Sequence, residues 1–164
     1  TAFALCVESC LVPEVRRALV RKALAGQAHV FTDPVVSPTG FPFKVAQLEG
    51  TLSEDEVFAK RRKVCDLGFL REAYLKDDGT IGYRCPAEPE GSFLAKGGKP
   101  EEIAGRKCIC NGLFADIGMG QVMADGTIEH CIVTLGDDFA NVGQFCSPGS
   151  VDYTAADVVR HLLG

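Results

Sequence analysis

Pro34, Pro38, Gly40 and Pro42 fall within ten residues of one another, a density that neither a long helix nor a central strand tolerates. Each proline lacks the N–H that a helix or a ladder needs, and its ring fixes φ. The chain must therefore change character at Asp33-Pro34, and a boundary placed there divides it into residues 1–33 and 34–164. Before the boundary, Pro13 stands near a first helical position, Val15, Leu19 and Ala23 follow at helical spacing, and Gly26 supplies a stop. The pattern predicts a helix over Pro13–Ala25. Ala28-His29-Val30-Phe31-Thr32 then reads as a short strand, so this part is one αβ step of an α/β fold.

Beyond the boundary the signals are short. Ser53-Glu54-Asp55-Glu56 has the form of a capping box before a helix that carries Val57 and Phe58 and ends in the basic cluster Lys60-Arg61-Arg62-Lys63, read as a solvated helix end. Asp77-Asp78-Gly79 and Ala124-Asp125-Gly126 are turn signals, each followed by a β-like stretch. Pro100 to Ile117 reads as a helix with an acidic first turn, weakened by Gly105 and Gly112. Thr154-Ala155-Ala156-Asp157 caps a final helix whose apolar side carries Val158, Val159 and Leu162.

Charge and hydropathy narrow the partners. Seventeen Lys+Arg against twenty-two Asp+Glu give a net charge of −5, which provides no basic footprint for nucleic acid or an anionic membrane. No apolar run reaches the length of a membrane span. Thr1-Ala2-Phe3-Ala4-Leu5-Cys6 lacks the basic flank and the length of a secretory signal, so the expectation is a soluble, cytoplasmic protein. The chain opens inside that apolar run, which suits either removal of an initiator Met before Thr1 or a chain cut from something larger.

Eight cysteines in 164 residues, about 5%, fall short of the ~8–10% that marks a disulfide scaffold. In a reducing compartment they call for another explanation. Cys6, Cys10 and Cys131 read as buried thiols. Cys65, Cys85, Cys108 and Cys110 lie in the turn-rich, polar contexts Cys-Asp-Leu-Gly, Arg-Cys-Pro and Lys-Cys-Ile-Cys-Asn, where backbone N–H groups can reach sulfur. Four thiolates are the usual complement for structural Zn²⁺ or an iron–sulfur cluster, and a proline after a ligand cysteine, as at Cys85-Pro86, occurs in ferredoxin-type runs. Only Cys108 and Cys110 are closely spaced, so separate reduced thiols or a redox-active pair stay open as alternatives. His29, His130 and His161 show no metal-binding spacing, and Asp137-Asp138 reads as a turn. Lys44 sits in the apolar loop Gly40-Phe41-Pro42-Phe43-Lys44, either solvated or in reach of an anion.

Several segments together resemble the nitronate monooxygenases, FMN-dependent (β/α)8 barrels. Thr1-Ala2-Phe3 is similar to the end of the family's phosphate-binding Gly-Thr-Ala-Phe segment, His29-Val30-Phe31-Thr32 resembles its final barrel strand, and Gly40-Phe41-Pro42-Phe43-Lys44 occupies the place of its Gly-Arg-Pro-Ala-Arg loop, with Phe41 and Phe43 as departures. Val64-Cys65-Asp66-Leu67-Gly68, Tyr83-Arg84-Cys85-Pro86-Ala87-Glu88-Pro89 and Gly105-Arg106-Lys107-Cys108-Ile109-Cys110-Asn111 resemble the C-terminal extension of one branch of that family.

The resemblance implies an α/β fold in which residues 1–33 are the last part of the barrel and residues 34–164 a loop-rich, mainly helical, cysteine-containing extension. It implies a flavin phosphate held by Thr1 and Ala2, with Lys44 lining the mouth, and a catalytic histidine upstream of this chain. The activity implied is oxidation of a small carbon acid such as an alkyl nitronate by oxygen. The chain alone would then be inactive, its partners being a small-molecule substrate and upstream barrel residues or another chain. The alternative is a self-contained module stapled by Zn²⁺ or an iron–sulfur cluster at the four cysteines; a third reading has such a cluster exchange electrons with the flavin.

Overall fold

The computed structural model describes residues 1–164. Thr1 leads into a 3₁₀ turn at Ala2–Ala4, and helix α1 follows at Pro13–Leu24 with proline at its first position and Arg21 and Lys22 in its last turn. Gly26, at φ 66°, ends it in the left-handed conformation that glycine adopts without strain. Strand β1 (Val30–Asp33) then turns back through the proline-rich loop into β2 (Phe43–Ala46), the two pairing antiparallel with Val30 opposite Ala46 and Asp33 opposite Phe43. The Asp33 carboxylate opens this turn by accepting from the N–H groups of Val35 and Val36.

Helix α2 (Asp55–Lys60) is short, and the predicted capping box before it does not form. Ser53 is occupied instead, its hydroxyl donating to the carbonyl of Leu48 and accepting from the Leu48 N–H. Strands β3 (Glu72–Leu75) and β4 (Ile81–Arg84) make a second antiparallel hairpin. At its turn Asp78 accepts from both the N–H and the hydroxyl of Thr80. Helix α3 (Glu90–Ala95) follows.

The helix expected over Pro100–Ile117 is two pieces, a 3₁₀ turn at Pro100–Glu102 and helix α4 (Ile109–Asp116). Gly105 breaks it at φ 72°, after which the Arg106 guanidinium donates to the carbonyls of Val35 and Ser37. Gly112 has the opposite role inside α4: a Cβ there would stand 2.4 Å from the Ile132 side chain, so the missing side chain is what lets the two segments approach. Val142–Phe145 forms a 3₁₀ turn, and α5 (Ala155–Leu163) closes the chain behind the predicted capping box, Thr154 accepting from the Asp157 N–H while the Asp157 carboxylate accepts from the Thr154 N–H.

The sheets correct the fold expectation. The chain is a small α/β structure with five α-helices and two separate two-stranded antiparallel sheets, and it contains no part of a (β/α)8 barrel. A barrel strand needs parallel neighbours reached through long crossovers, whereas the proline-rich loop folds β1 straight back onto β2. The hairpin thereby spans the Asp33-Pro34 boundary. No helix is long and apolar enough to cross a membrane.

The apolar interior forms three clusters, of 13, 5 and 3 buried residues, rather than one core. The first packs Leu5, Leu19, Val20, Val133, Val142 and Val158 where α1, the 3₁₀ turns and α5 converge. The second joins β2 to α4 through Val36, Val45, Leu52, Ile109 and Ile132. The third consists of Cys85, Ala87 and Cys108, with Cys110 packed against it.

Candidate functional site

Three elements deliver the cysteines singled out in the sequence. The loop after α2 carries Cys65, the end of β4 delivers Cys85, and Cys108 and Cys110 stand at the N-cap and in the first turn of α4. Cys85 and Cys108 are buried; Cys65 and Cys110 are half-buried. All eight cysteines of the chain are free thiols.

Cys110 packs against Cys85 and Cys108, and charge on Cys65 acts on both of the buried thiols. Burial pushes the Cys85 thiol up to about 11; the Ala87 N–H opposes that shift, and Cys65, Cys108 and Cys110 add to it. Burial also raises the Cys108 thiol, against the pull of the Asn111 N–H and the Arg61 guanidinium and with reinforcement from Cys110 and Cys65. At the fourth corner, Nη2 of Arg71 donates to the Cys65 carbonyl at 3.3 Å and lies 3.6 Å from the Cys65 sulfur. As the side chains stand, no three His, Cys, Asp or Glu groups converge on the position of a single ion.

Beside this group lies an apolar recess of about 160 Å³, lined by Phe43, Phe69, Leu70, Ile109, Leu113 and Phe114 together with Cys110. Phe69 and Phe114 meet there with ring centroids 5.8 Å apart. Phe43 belongs to β2, so the strand that carries Lys44 also walls the cysteine region.

Thr1, Ala2 and Lys44 lie elsewhere. The Thr1 hydroxyl donates to the carbonyl of Gly136 at 2.7 Å, and Lys44 Nζ pairs with the Asp137 carboxylate at 3.0 Å. Two residues far apart in sequence thus meet one turn. The carbonyl of Ala2 accepts from the buried Tyr153 hydroxyl, which pins the segment to the first cluster. Lys44 holds the Asp137 carboxyl below the usual carboxylate range. Both side chains of that pair remain largely exposed, and none of the larger cavities is lined by Thr1, Ala2 or Lys44.

Two features escaped the sequence reading. Arg61, read as part of a solvated basic run, is buried in a bidentate pair with Glu129, its Nε donating to Oε1 at 2.8 Å and its Nη2 to Oε2. Lys60 and Arg62 on either side are exposed as expected, and nothing in a run of four cations distinguishes the one that turns inward. Asp116, the last residue of α4, is 3% exposed, and one of its carboxylate oxygens has no partner. Burial raises its pKa to about 7, moderated by a hydrogen bond from the Cys131 thiol. Its signal was a lone carboxylate ending the apolar stretch Ile109 to Ala115.

The histidines are structural neighbours rather than a cluster. His130 Nδ1 lies 3.1 Å from the Gly50 carbonyl, and His161 stacks edge-on to Phe145. Comparison with protein-family models, with curated proteins and with solved structures gives no match to this chain.

Proposed function

We propose that this chain is part of an FMN-dependent oxidoreductase of the nitronate monooxygenase type, which oxidises a small carbon acid with oxygen. The observation that carries the reading is the meeting of Thr1 and Lys44 at Gly136-Asp137, which sets a hydroxyl and an ammonium group at one turn. A phosphate monoester needs that combination, a hydrogen-bond donor with a cation beside it.

The existing partners are easily displaced. An exposed Lys–Asp pair is screened by water and holds weakly, so a dianionic phosphate competes with Asp137 for Lys44. Thr1 can turn its hydroxyl from the Gly136 carbonyl to the same ligand, while Tyr153 keeps the backbone at Ala2 in place. With no enclosing cavity at this edge, the chain supplies the phosphate contact and other polypeptide holds the ring. When bound, the flavin provides the electron acceptor for the carbon acid and the donor to oxygen.

Titration of the chain with FMN and with riboflavin, followed by amide chemical shifts, tests the reading. FMN is expected to shift Ala2, Lys44 and Gly136 while riboflavin, which lacks the phosphate, leaves them unchanged, and Lys44→Ala is expected to abolish the response. Equal shifts with both compounds, or none with either, would contradict it.

A further inference from the structure

We propose that Cys65, Cys85, Cys108 and Cys110 together ligate an iron–sulfur cluster. The chain packs Cys85, Cys108 and Cys110 from two segments together, sets Cys65 close enough for its charge to act on Cys85 and Cys108, and ties none of the four into a disulfide.

A structural Zn²⁺ holds every sulfur about 2.3 Å from one point, which places the sulfurs themselves about 3.8 Å apart at tetrahedral angles. No three His, Cys, Asp or Glu groups converge on one such point as the side chains stand. A multi-iron cluster does not require that convergence, because its thiolates bind different irons.

The surroundings fit the charge. The Arg71 guanidinium lies 3.6 Å from the Cys65 sulfur, and the Arg61 guanidinium, itself paired with Glu129, acts on Cys108. Cys108 and Cys110 also open α4, where the helix dipole favours thiolate. Four uncharged thiols would gain little from any of these. The recess next to Cys110 is lined by apolar side chains, and the polarity of the surroundings is a determinant of reduction potential in such centres.

Assembly balances without an oxidant from the chain. Each ligation replaces one S–H bond with one S–Fe bond and releases a proton to solvent, and the ferric part of the cluster comes from ferric iron supplied together with ferrous iron and inorganic sulfide. The inference is independent of the flavin reading, although strand β2 carries both Lys44, paired with Asp137, and Phe43, which lines the recess beside Cys110.

The test is anaerobic reconstitution of the whole chain with ferrous and ferric iron and sulfide, followed by desalting, iron and acid-labile sulfide analysis, and spectroscopy. The expected result is retained iron and sulfide in matching amounts with broad absorbance near about 400 nm. Cys65→Ser and Cys110→Ser, at half-buried positions that tolerate the change, should lower retained iron by more than about tenfold, while Cys10→Ser, at an exposed cysteine outside the group, should leave it unchanged. Circular dichroism of the metal-free variants shows whether they remain folded. Zinc retained in place of iron and sulfide, iron retained equally by Cys110→Ser, or no metal with all eight thiols titratable would each overturn the proposal.

Discussion

The two ends of this molecule are held together by different physics. Where α1 and α5 meet the opening turn, thirteen buried residues, mostly Leu, Val and Phe, form one contiguous apolar cluster. Around the cysteines only Cys85, Ala87 and Cys108 are buried together, while the hairpin that delivers Cys85 exposes Leu75, Ile81 and Tyr83. Apolar burial at about 25 cal/mol per Å² accounts for order in the first region and cannot do so in the second. There, ion pairs bind the loops: Arg61 with Glu129, and Glu88 with Lys96 at 2.8 Å. A region built on polar anchors is one in which a bound cofactor changes stability most.

Substitutions can break this contrast. The largest expected effect is at Glu129, whose removal strands the buried Arg61 guanidinium; Glu129→Ala should cost about 4 kcal/mol in denaturant unfolding. Because Arg61 borders Cys108, the same variant should also weaken metal retention, whereas a change in the apolar end should not. Leu19→Ala is that comparison. With Leu19 only 1% exposed, it should cost about 3 kcal/mol and leave the cysteine region able to bind iron.

Asp116 sharpens the comparison at the seam, since α4 carries Cys110 near one end while the Asp116 carbonyl accepts from the Val12 N–H of the other region. Its folded pKa of about 7 lies above the ordinary carboxylate value, so the folded state holds a proton that the unfolded chain releases. The associated stability is full below about pH 4 and is lost as pH rises towards 7, at about 1.4 kcal/mol per pH unit. Asp116→Asn should flatten that part of the stability–pH curve, as measured by urea unfolding at several pH values. A variant with the same slope as the parent protein would contradict the burial argument. The smallest effect belongs to the apolar end: Thr154→Ala removes the α5 cap and should cost about 1 kcal/mol, read as a shift in the urea midpoint.

What the sequence revealed depended on how local the cause was. The periodicity of Val15 and Leu19 and the proline at Pro13 locate α1 within a residue, and Thr154 with Asp157 locates the start of α5, because these signals act within a few residues of where they sit. The pairing partner of β1 was misread because it is a long-range property: the expected parallel barrel neighbour came from resemblance, while the prolines and Gly40 between the strands already favour a reversal. Gly105 and Gly112 look alike in sequence, yet one breaks a helix at positive φ and the other admits Ile132. Turn-rich contexts singled out Cys65, Cys85, Cys108 and Cys110 but not the guanidiniums near them, since Arg71 acts across a loop and Arg61 across sixty-eight residues to Glu129.

Amide hydrogen exchange on the chain with and without reconstituted iron and sulfide tests the central claim most directly. The account predicts slower exchange around Cys65, Cys85 and Cys108–Cys110 when the cluster is present, with α1 and α5 unchanged. Identical exchange at the cysteine segments in both states, or slowing spread evenly over the whole chain, would contradict it.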